Sequence, residues 1–289
     1  MLDMGFLPTI ERIVAALPAN RQTLFFSATI ESSVRRLVDT HVPCGISMSP
    51  TAAPSNRFFH AMAFDAARSQ VVLFGGFDMN GQTLGDTWLW DGANWTKASP
   101  ARSPGARYFH GMAYDAKKRR VVLFGGIDPN NNILDDTWVW DGTIWTQEFP
   151  ANSPLPSAFI GLTYDSQGKT LLFGGGGAPR TNFTNQTAIW DGTSWTVVTP
   201  QNLPPERAVP AMSSNSPSGV LLFGGASPDS YLGDTWTWNG TNWKQLSPVT
   251  SPPGRGYAAM THDPSLGNVV LFGGQNGSVN FSDTWVWQQ

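Results

Sequence analysis

A chain of 289 residues with 40% hydrophobic and 13% charged residues carries ample apolar material for one large core. Its 18 basic residues stand against 21 acidic ones, for a formal charge of -3, which provides no field to draw in a polyanion or an anionic membrane. The single cysteine, Cys44, excludes an internal disulfide framework and a thiolate metal cluster, and is read as an incidental thiol.

Residues 1–44 open with a helix expected near 8–17, an apolar strand over 22–28 (QTLFFSA) and a second helix near 31–40. Glu11, Arg12, Asn20 and Arg21 interrupt the apolar stretches, so neither a signal-like core nor a span of the roughly 18 residues a bilayer requires is present. A cytoplasmic location is the expectation. From MLDMGF to Ser27, Ala28 and Thr29 this segment resembles part of the first RecA-like domain of a DEAD-box RNA helicase. In that family the Ser-Ala-Thr motif couples ATP hydrolysis to strand separation, which is what the resemblance implies for these three residues. The sequence contains no Gly-x-x-x-x-Gly-Lys-Ser/Thr loop and no Asp-Glu-Ala-Asp box. Neither a bound cofactor nor helicase activity is therefore expected, and nucleic acid is not an expected partner. About forty residues of a parallel-sheet domain also cannot bury a complete core.

Beyond residue 44 the chain is periodic. Leu-Phe-Gly-Gly recurs with its first glycine at Gly75, Gly125, Gly174, Gly224 and Gly273, a spacing of 49 or 50 residues that means stacked supersecondary units. Each unit has up to four strand phrases. The first begins at Arg57, Arg107, Ser157, Arg207 and Arg255 (RFFHAMAFD in the first copy). The second is an apolar run such as VVLFGG, suited to a strand covered on both faces. The third is Asp-Thr-Trp-x-Trp, whose alternate tryptophans, such as Trp88 and Trp90, share one strand face. The fourth opens with Trp95, Trp145, Trp195 and Trp243. Asp-Gly or Asn-Gly (Asp91-Gly92, Asp141-Gly142, Asp191-Gly192, Asn239-Gly240) marks the hairpin between the third and fourth phrases. Asp65, Asp115, Asp165 and Asp263 end first phrases, where a carboxylate can accept from its own turn. Proline-rich joints such as SPARSPGAR separate the units, since proline is excluded from central strands. Six Asn-x-Ser/Thr sequons (Asn94, Asn182, Asn185, Asn239, Asn276, Asn280) fall within this turn vocabulary and are given little weight.

Four short strands per unit at this period spell a propeller blade. The Arg-x-x-His opening, the Gly-Gly ending, the third-strand Trp and the fourth-strand Trp resemble the kelch-repeat family of β-propellers over residues 45–289. The expected fold is thus all-β, a kelch-type propeller of about five four-stranded blades near 55–100, 105–150, 155–200, 205–248 and 253–289, preceded by a short α/β helicase-like remnant. The last unit stops after its third phrase, and the register of Arg57 on Arg107 puts Pro50 on Pro100, so residues 45–50 are expected to supply the missing strand.

The 13 tryptophans invite a sugar-stacking role, but their regular placement fits packing between blades. His60 and His110 are replaced by Ile160, Pro210 and Ala258 in the other units, which favours a structural role over metal ligation. Asp86, Asp136, Asp234 and Asp283, with Gln186 as the exception, repeat as scaffold residues do. Arg57, Arg107, Arg207 and Arg255 have two readings: a ring of anion-attracting groups at the channel mouth, or an inter-blade hydrogen-bonding ladder to carbonyls or carboxylates. The loops between second and third phrases break the repeat, and variable loops on a rigid scaffold are where recognition resides. Asp78, Asn80, Asp128, Asn130, Arg180, Asn182, Asp229 and Tyr231 are the contact candidates there. DMNG and DPNNN faintly match the start of a Ca²⁺ loop but lack its twelfth-position Glu, so no metal site is assigned.

A non-enzymatic scaffold that takes a protein or carbohydrate ligand through these loops is the leading expectation. The alternative implied by the kelch resemblance is a carbohydrate-active enzyme, isomerase or oxidase-like, at the channel mouth. The copper oxidases of that scaffold use a Tyr crosslinked to Cys, and Cys44 lies outside the repeats. No catalytic constellation rises above background.

Overall fold

A computed structural model describes residues 53–177, 182–214 and 219–288 of the chain, which divides into two units, Met1–Asn56 and Arg57–Gln289. The expected helices, the strand over 22–28, the residues Ser27, Ala28 and Thr29, and the added strand at 45–50 lie outside the described residues. The second unit is a five-bladed, all-β propeller.

Blade 1 comprises β1 (Arg57–Phe58), β2 (Ala61–Asp65), β3 (Gln70–Asp78), β4 (Thr83–Trp90) and β5 (Trp95–Ala98). Blade 2 comprises β6 (Gly111–Asp115), β7 (Arg120–Phe124), β8 (Thr137–Trp140) and β9 (Trp145–Glu148). Blade 3 comprises β10 (Gly161–Tyr164), β11 (Thr170–Phe173), β12 (Thr187–Trp190) and β13 (Trp195–Val198). Blade 4 comprises β14 (Ala211–Ser214), β15 (Val220–Ala226), β16 (Tyr231–Trp238) and β17 (Trp243–Leu246). Blade 5 comprises β18 (Ala259–Asp263), β19 (Asn268–Phe272) and β20 (Thr284–Trp287). Every pairing is antiparallel between neighbours in sequence, and β1 adds a short extra pairing to β3 through Arg57↔Asp78 and Phe58↔Phe77.

The core lies in the seams between blades rather than within any one sheet. Val72 and Phe74 of blade 1 pack with Met112, Val121, Leu123, Trp140 and Trp145 of blade 2. Val122, Phe124 and Val139 of blade 2 turn the other way, onto Leu172, Ala188, Trp190 and Trp195 of blade 3. Leu171, Phe173 and Ile189 continue the series onto Val220, Leu222, Trp238 and Trp243, and Ala211 and Phe223 onto Leu271. Alternate residues of a strand point to opposite faces, so a strand between two blades must be apolar at every position. The uninterrupted Val-Val-Leu-Phe run records that requirement. Blade 5 differs: Phe272 is 53% exposed, whereas Phe74, Phe124 and Phe173 are 0% exposed and Phe223 3%.

One side-chain device repeats at three seams. The indole N–H of Trp145 donates to Thr87 Oγ1 at 3.0 Å, Trp195 to Thr137 at 2.8 Å and Trp243 to Thr187 at 3.1 Å. Each indole also meets a phenyl edge of the preceding blade, Phe74, Phe124 or Phe173, at 5.4, 5.2 and 5.0 Å between centroids. A buried indole N–H left without an acceptor would be costly, so the third-strand Thr and the fourth-strand Trp belong to one unit of chemistry.

The paired glycines have a backbone reason. Gly75 has φ 63° and a Cβ built on it would lie 2.5 Å from the carbonyl oxygen of Arg107 in the next blade. That closeness allows the next residue to bond across the seam: Gly76 N–H donates to Arg107 O at 2.9 Å, and Gly126, Gly175 and Gly225 repeat the bond to Ser157, Arg207 and Arg255 at 2.9, 2.9 and 2.8 Å. Only glycine meets both demands, left-handed φ and close backbone approach.

The expected Asp-Gly and Asn-Gly hairpins are present, each spanning four residues: Trp90 pairs with Trp95, and Asp91 Oδ1 accepts from the Ala93 and Asn94 amides at 2.8 and 2.7 Å. Asp141, Asp191 and Asn239 repeat this cap, so the side-chain oxygen, rather than a two-residue primed turn, organises the loop. Asp65, Asp165 and Asp263 accept from amides two residues on, and Asp115 from the Lys118 amide three residues on.

Candidate binding face at the blade ends

The first phrase starts, the second ends and the third starts at the same end of each blade, so the irregular loops and the repeated arginines share one face. The arginines are buried there. Arg107 Nη1 and Nη2 bind the two oxygens of Asp136 at 2.6 and 2.8 Å, with further bonds to the carbonyls of Gly125 at 3.0 Å and Gly105 at 3.1 Å. Arg57–Asp86, Arg207–Asp234 and Arg255–Asp283 repeat the fork, and the four arginine side chains are 0–3% exposed. Each carboxylate also accepts the indole N–H of the tryptophan two residues on, Trp88, Trp138, Trp236 or Trp285, at 2.6–2.7 Å. Burial alone would raise the Asp136 carboxyl, but the Arg107 hydrogen bonds and charge and the Trp138 N–H outweigh it, and the net displacement is below the usual carboxylate range.

This is a correction to the anion-attracting ring. The guanidiniums of Arg57, Arg107, Arg207 and Arg255 are matched one to one with carboxylates of their own blades, which cancels the charge a ligand would meet. Of the two expectations, bonding to carbonyls and carboxylates describes the partners, but not between blades as expected: the side chain bonds within its own blade, and only the main chain bonds across the seam. Blade 3 makes a coordinated exchange. Ser157 replaces the arginine and Gln186 the aspartate, with Gln186 Nε2 donating to Ser157 Oγ at 2.7 Å and Gln186 Oε1 accepting from the Leu155 amide at 3.1 Å.

Two residues after each arginine or Ser157 the chain turns onto the axis. Phe59, Phe109, Phe159, Val209 and Tyr257 all have φ between 49° and 59°. Their main chains form a relay, with N–H to O distances of 2.9 Å (Phe109 to Phe59), 3.0 Å (Phe159 to Phe109), 2.7 Å (Val209 to Phe159) and 3.3 Å (Tyr257 to Val209). The Phe59 and Phe109 rings stack at 3.9 Å between centroids, Phe109 and Phe159 meet at 3.9 Å with a 40° tilt, and Phe59 lies 6.2 Å from Tyr257. A left-handed bulky residue costs on the order of 1–3 kcal/mol, so five in register mark a position the surrounding structure dictates. Nothing in the residue types signals it.

A cavity of about 710 Å³ opens at this axis, lined by these rings, the following residues His60, His110, Ile160, Pro210 and Ala258, and Ala259, Gln275 and Asn280. Burial and then the Arg57 charge lower His60 to about 4; His110, buried beside Phe74, is held well below the ordinary histidine range by burial, then by Arg107 and His60. Both imidazoles are therefore neutral at physiological pH, in keeping with a structural role. No group of three or more His, Cys, Asp or Glu able to hold a metal ion occurs among the described residues.

The loop candidates separate into two kinds. Asp78 Oδ1 accepts from the amides of Asn80 and Gln82 at 2.9 and 2.8 Å, and Asp128 Oδ1 from those of Asn130 and Asn132 at 2.8 Å each, so these carboxylates shape their own loops. The Gln82 amide first, with those of Asn80 and the Arg57 charge, holds Asp78 below its ordinary range. By contrast Asp229 and Tyr231 line a depression of about 570 Å³ together with Phe183 of blade 3 and Asn276 of blade 5. Asn182, at φ 54°, is exposed beside Phe183, and Arg180 lies outside the described residues. Gln275, Asn276 and Asn280, which were not among the contact candidates read from the sequence, belong to the non-repeating loop of blade 5.

No family model matches the chain. Comparison with curated proteins finds short likenesses to RNA helicases. DEAD-box ATP-dependent RNA helicase 31 of Oryza sativa subsp. japonica is 65% identical over 37 residues, 13% of this chain and 7% of that protein. DEAD-box ATP-dependent RNA helicase 25 of the same organism is 34% identical over 86 residues, 30% of this chain and 14% of that protein. DEAD-box ATP-dependent RNA helicase CshA of Streptococcus pneumoniae is 54% identical over 37 residues. The chain thus spans between 7% and 14% of the first two relatives' lengths. No helix among the described residues is long and apolar enough to cross a membrane.

Proposed function

We propose that the chain is a kelch-type propeller that acts as a binding scaffold, taking a protein or glycan partner through the loops at the blade ends. One observation carries this reading: the non-repeating loops surround the axial cavity and the depression at Asp229 and Tyr231, while the repeated charges beneath them are paired off. The lining of the two hollows combines aromatic faces with Ser, Asn and Gln groups, and the depression adds the Asp229 carboxylate, a surface suited to polar ligands rich in hydrogen-bond donors. The axial cavity has no carboxylate among its described lining residues, and burial holds its two imidazoles, His60 and His110, below the ordinary histidine range, which makes them weak bases for an isomerase or oxidase at that position. The helicase likeness is a matter of short segments, and this reading assigns no residue to nucleotide turnover.

The test is to screen the full chain against a glycan array and a displayed peptide library, then to repeat each hit with Asp229→Ala, Tyr231→Ala and Asn276→Ala combined. A saturable ligand lost in the triple variant supports the reading. Absence of any ligand in both screens, or a ligand indifferent to the triple change, overturns it.

A further inference from the structure

At the end of the blades opposite the variable loops, the turn between the first and second strands of blade 2 departs from its counterparts. Asp115 pairs with Arg120 across this turn and Asp263 with Asn268 across that of blade 5, so the two turns have equal length. The residue before the second strand is left-handed in both, Gly267 at φ 68° and Arg119 at φ 56°, as is Ser69 of blade 1 at φ 53°. Blade 5 gives this place to glycine; blade 2 fills it with arginine, within the run Lys117-Lys118-Arg119-Arg120. A long side chain held at left-handed φ is a local cost, of the kind that collects at functional positions.

A hollow of about 620 Å³ opens beside the turn, lined by Arg68, Lys118, Arg119, Arg120 and Asp141. Two of its cations are fixed. Arg68 Nη1 binds Asp65 at 2.8 Å and the Arg119 carbonyl at 3.2 Å, crossing from blade 1 to blade 2, while Arg120 binds Glu148 at 3.1 Å and the Gly192 carbonyl of blade 3 at 2.6 Å. The nearby carboxylates are also engaged. Asp115 Oδ1 accepts from the Lys118 amide at 2.9 Å, and Asp141 and Asp191 each turn an oxygen onto the amides of their own hairpins. Lys118 acts on Asp191 through charge alone, and no hydrogen bond or ion pair among the described residues engages the side-chain cations of Lys117, Lys118 or Arg119.

We propose that this hollow binds a single phosphate monoester group, held by Lys118 and Arg119 beside the anchored Arg68. The guanidinium fork of Arg119 matches two phosphate oxygens and the Lys118 ammonium supplies a point charge, the usual division between these two side chains. The surrounding carboxylates select a compact anion. Asp65, Asp115, Asp141, Asp191 and Glu148 lie around the cluster, so an extended polyanion laid across it meets as much repulsion as attraction, while one dianionic group sits among the free cations. Blade 3 sets Gln167, Gly168 and Lys169 in its own turn and gathers no such cluster. The site shares no residue with the blade-end hollows and does not depend on the function proposed for them.

The full chain is titrated by calorimetry at low ionic strength with inorganic phosphate and with the peptide Gly-Ala-Ser-Ala-Gly, phosphorylated and unphosphorylated at serine. Saturable binding of the phosphorylated form and none of the unphosphorylated form is expected; inorganic phosphate binding equally well assigns the site to the free anion or a small ester, and a clear preference for the phosphopeptide assigns it to a modified partner protein. Arg119→Gly, which copies blade 5, and Lys118→Gln should each weaken binding about tenfold or more through the lost charge-assisted contact. Arg119→Gly should at the same time leave the thermal midpoint unchanged or raised, a combination that a purely structural arginine would not give. Lys244→Gln, at an exposed cation of blade 4, should alter neither quantity. An absence of saturable binding overturns the proposal, as does binding indifferent to both Arg119→Gly and Lys118→Gln. Single-stranded DNA binding more tightly than the phosphopeptide, and lost in the same two variants, overturns the monoester assignment in favour of a polyanion.

Discussion

Ser157 and Gln186 of blade 3, 29 positions apart, hydrogen-bond at 2.7 Å in the place where the other four blades set an arginine against an aspartate. Both partners changed together, which keeps the buried site satisfied without charge. Either single exchange would strand a buried ion, and removing one partner of such a pair costs about 3–5 kcal/mol, whereas a matched neutral replacement is often nearly neutral.

Blade 2 is therefore the site for a reconstruction experiment. Arg107→Ser alone should lower the unfolding free energy by about 3–5 kcal/mol, and adding Asp136→Gln should restore most of it. A urea-denaturation double-mutant cycle measures the coupling; additive losses would mean that the two positions act independently.

The Gly-Gly mark permits a matched comparison. Gly75 and Gly81 both have positive φ, at 63° and 82°, but a Cβ on Gly75 would lie 2.5 Å from Arg107 O while one on Gly81 has nothing within 4 Å. Gly81→Ala should cost only the left-handed penalty of about 1–2 kcal/mol, and Gly75→Ala clearly more, because the seam bond from Gly76 must shift as well. Similar losses would remove the close-approach explanation.

For the seam tryptophans, Trp145→Phe keeps the ring and removes the N–H that Thr87 accepts at 3.0 Å. A loss of about 1–2 kcal/mol is expected, and Thr87→Val in the Trp145→Phe background should add little, since the hydroxyl has already lost its donor. Thermal unfolding of the four proteins decides it.

The buried imidazoles tie stability to pH. His60 is lowered to about 4 and His110 lies well below its ordinary range, both first through burial, so the folded state holds them neutral where the unfolded chain, with histidines near 6.5, takes up protons. Their contribution is complete above about 6.5 and is lost as pH falls towards 4, by at most about 1.4 kcal/mol per pH unit for each group. His110→Ile, the residue blade 3 carries as Ile160, should flatten the slope of stability against pH over that range. A slope that does not change would exclude His110 as its source.

Blade number, strand order and seam packing were legible because they repeat: a period of 49 or 50 residues multiplies each weak signal fivefold. The paired arginines were legible as positions but ambiguous in role, since a ring of buried ion pairs and a ring of ligand-seeking cations have the same sequence; only the distance from Arg107 to Asp136 separates them. The axial relay was hidden for a different reason. Phe59, Phe109, Phe159, Val209 and Tyr257 are poor left-handed formers, and local preference gave way there to hydrogen bonds between successive units.

In the apolar runs, neighbours in sequence serve different neighbours in space: Val121 and Leu123 belong to the junction with blade 1, Val122 and Phe124 to that with blade 3. Each unit therefore carries two separately encoded half-joints on one strand, odd residues for one side and even residues for the other. A chain written this way can gain or lose whole units by duplication or deletion without redesign, because every unit brings its own plug and its own socket.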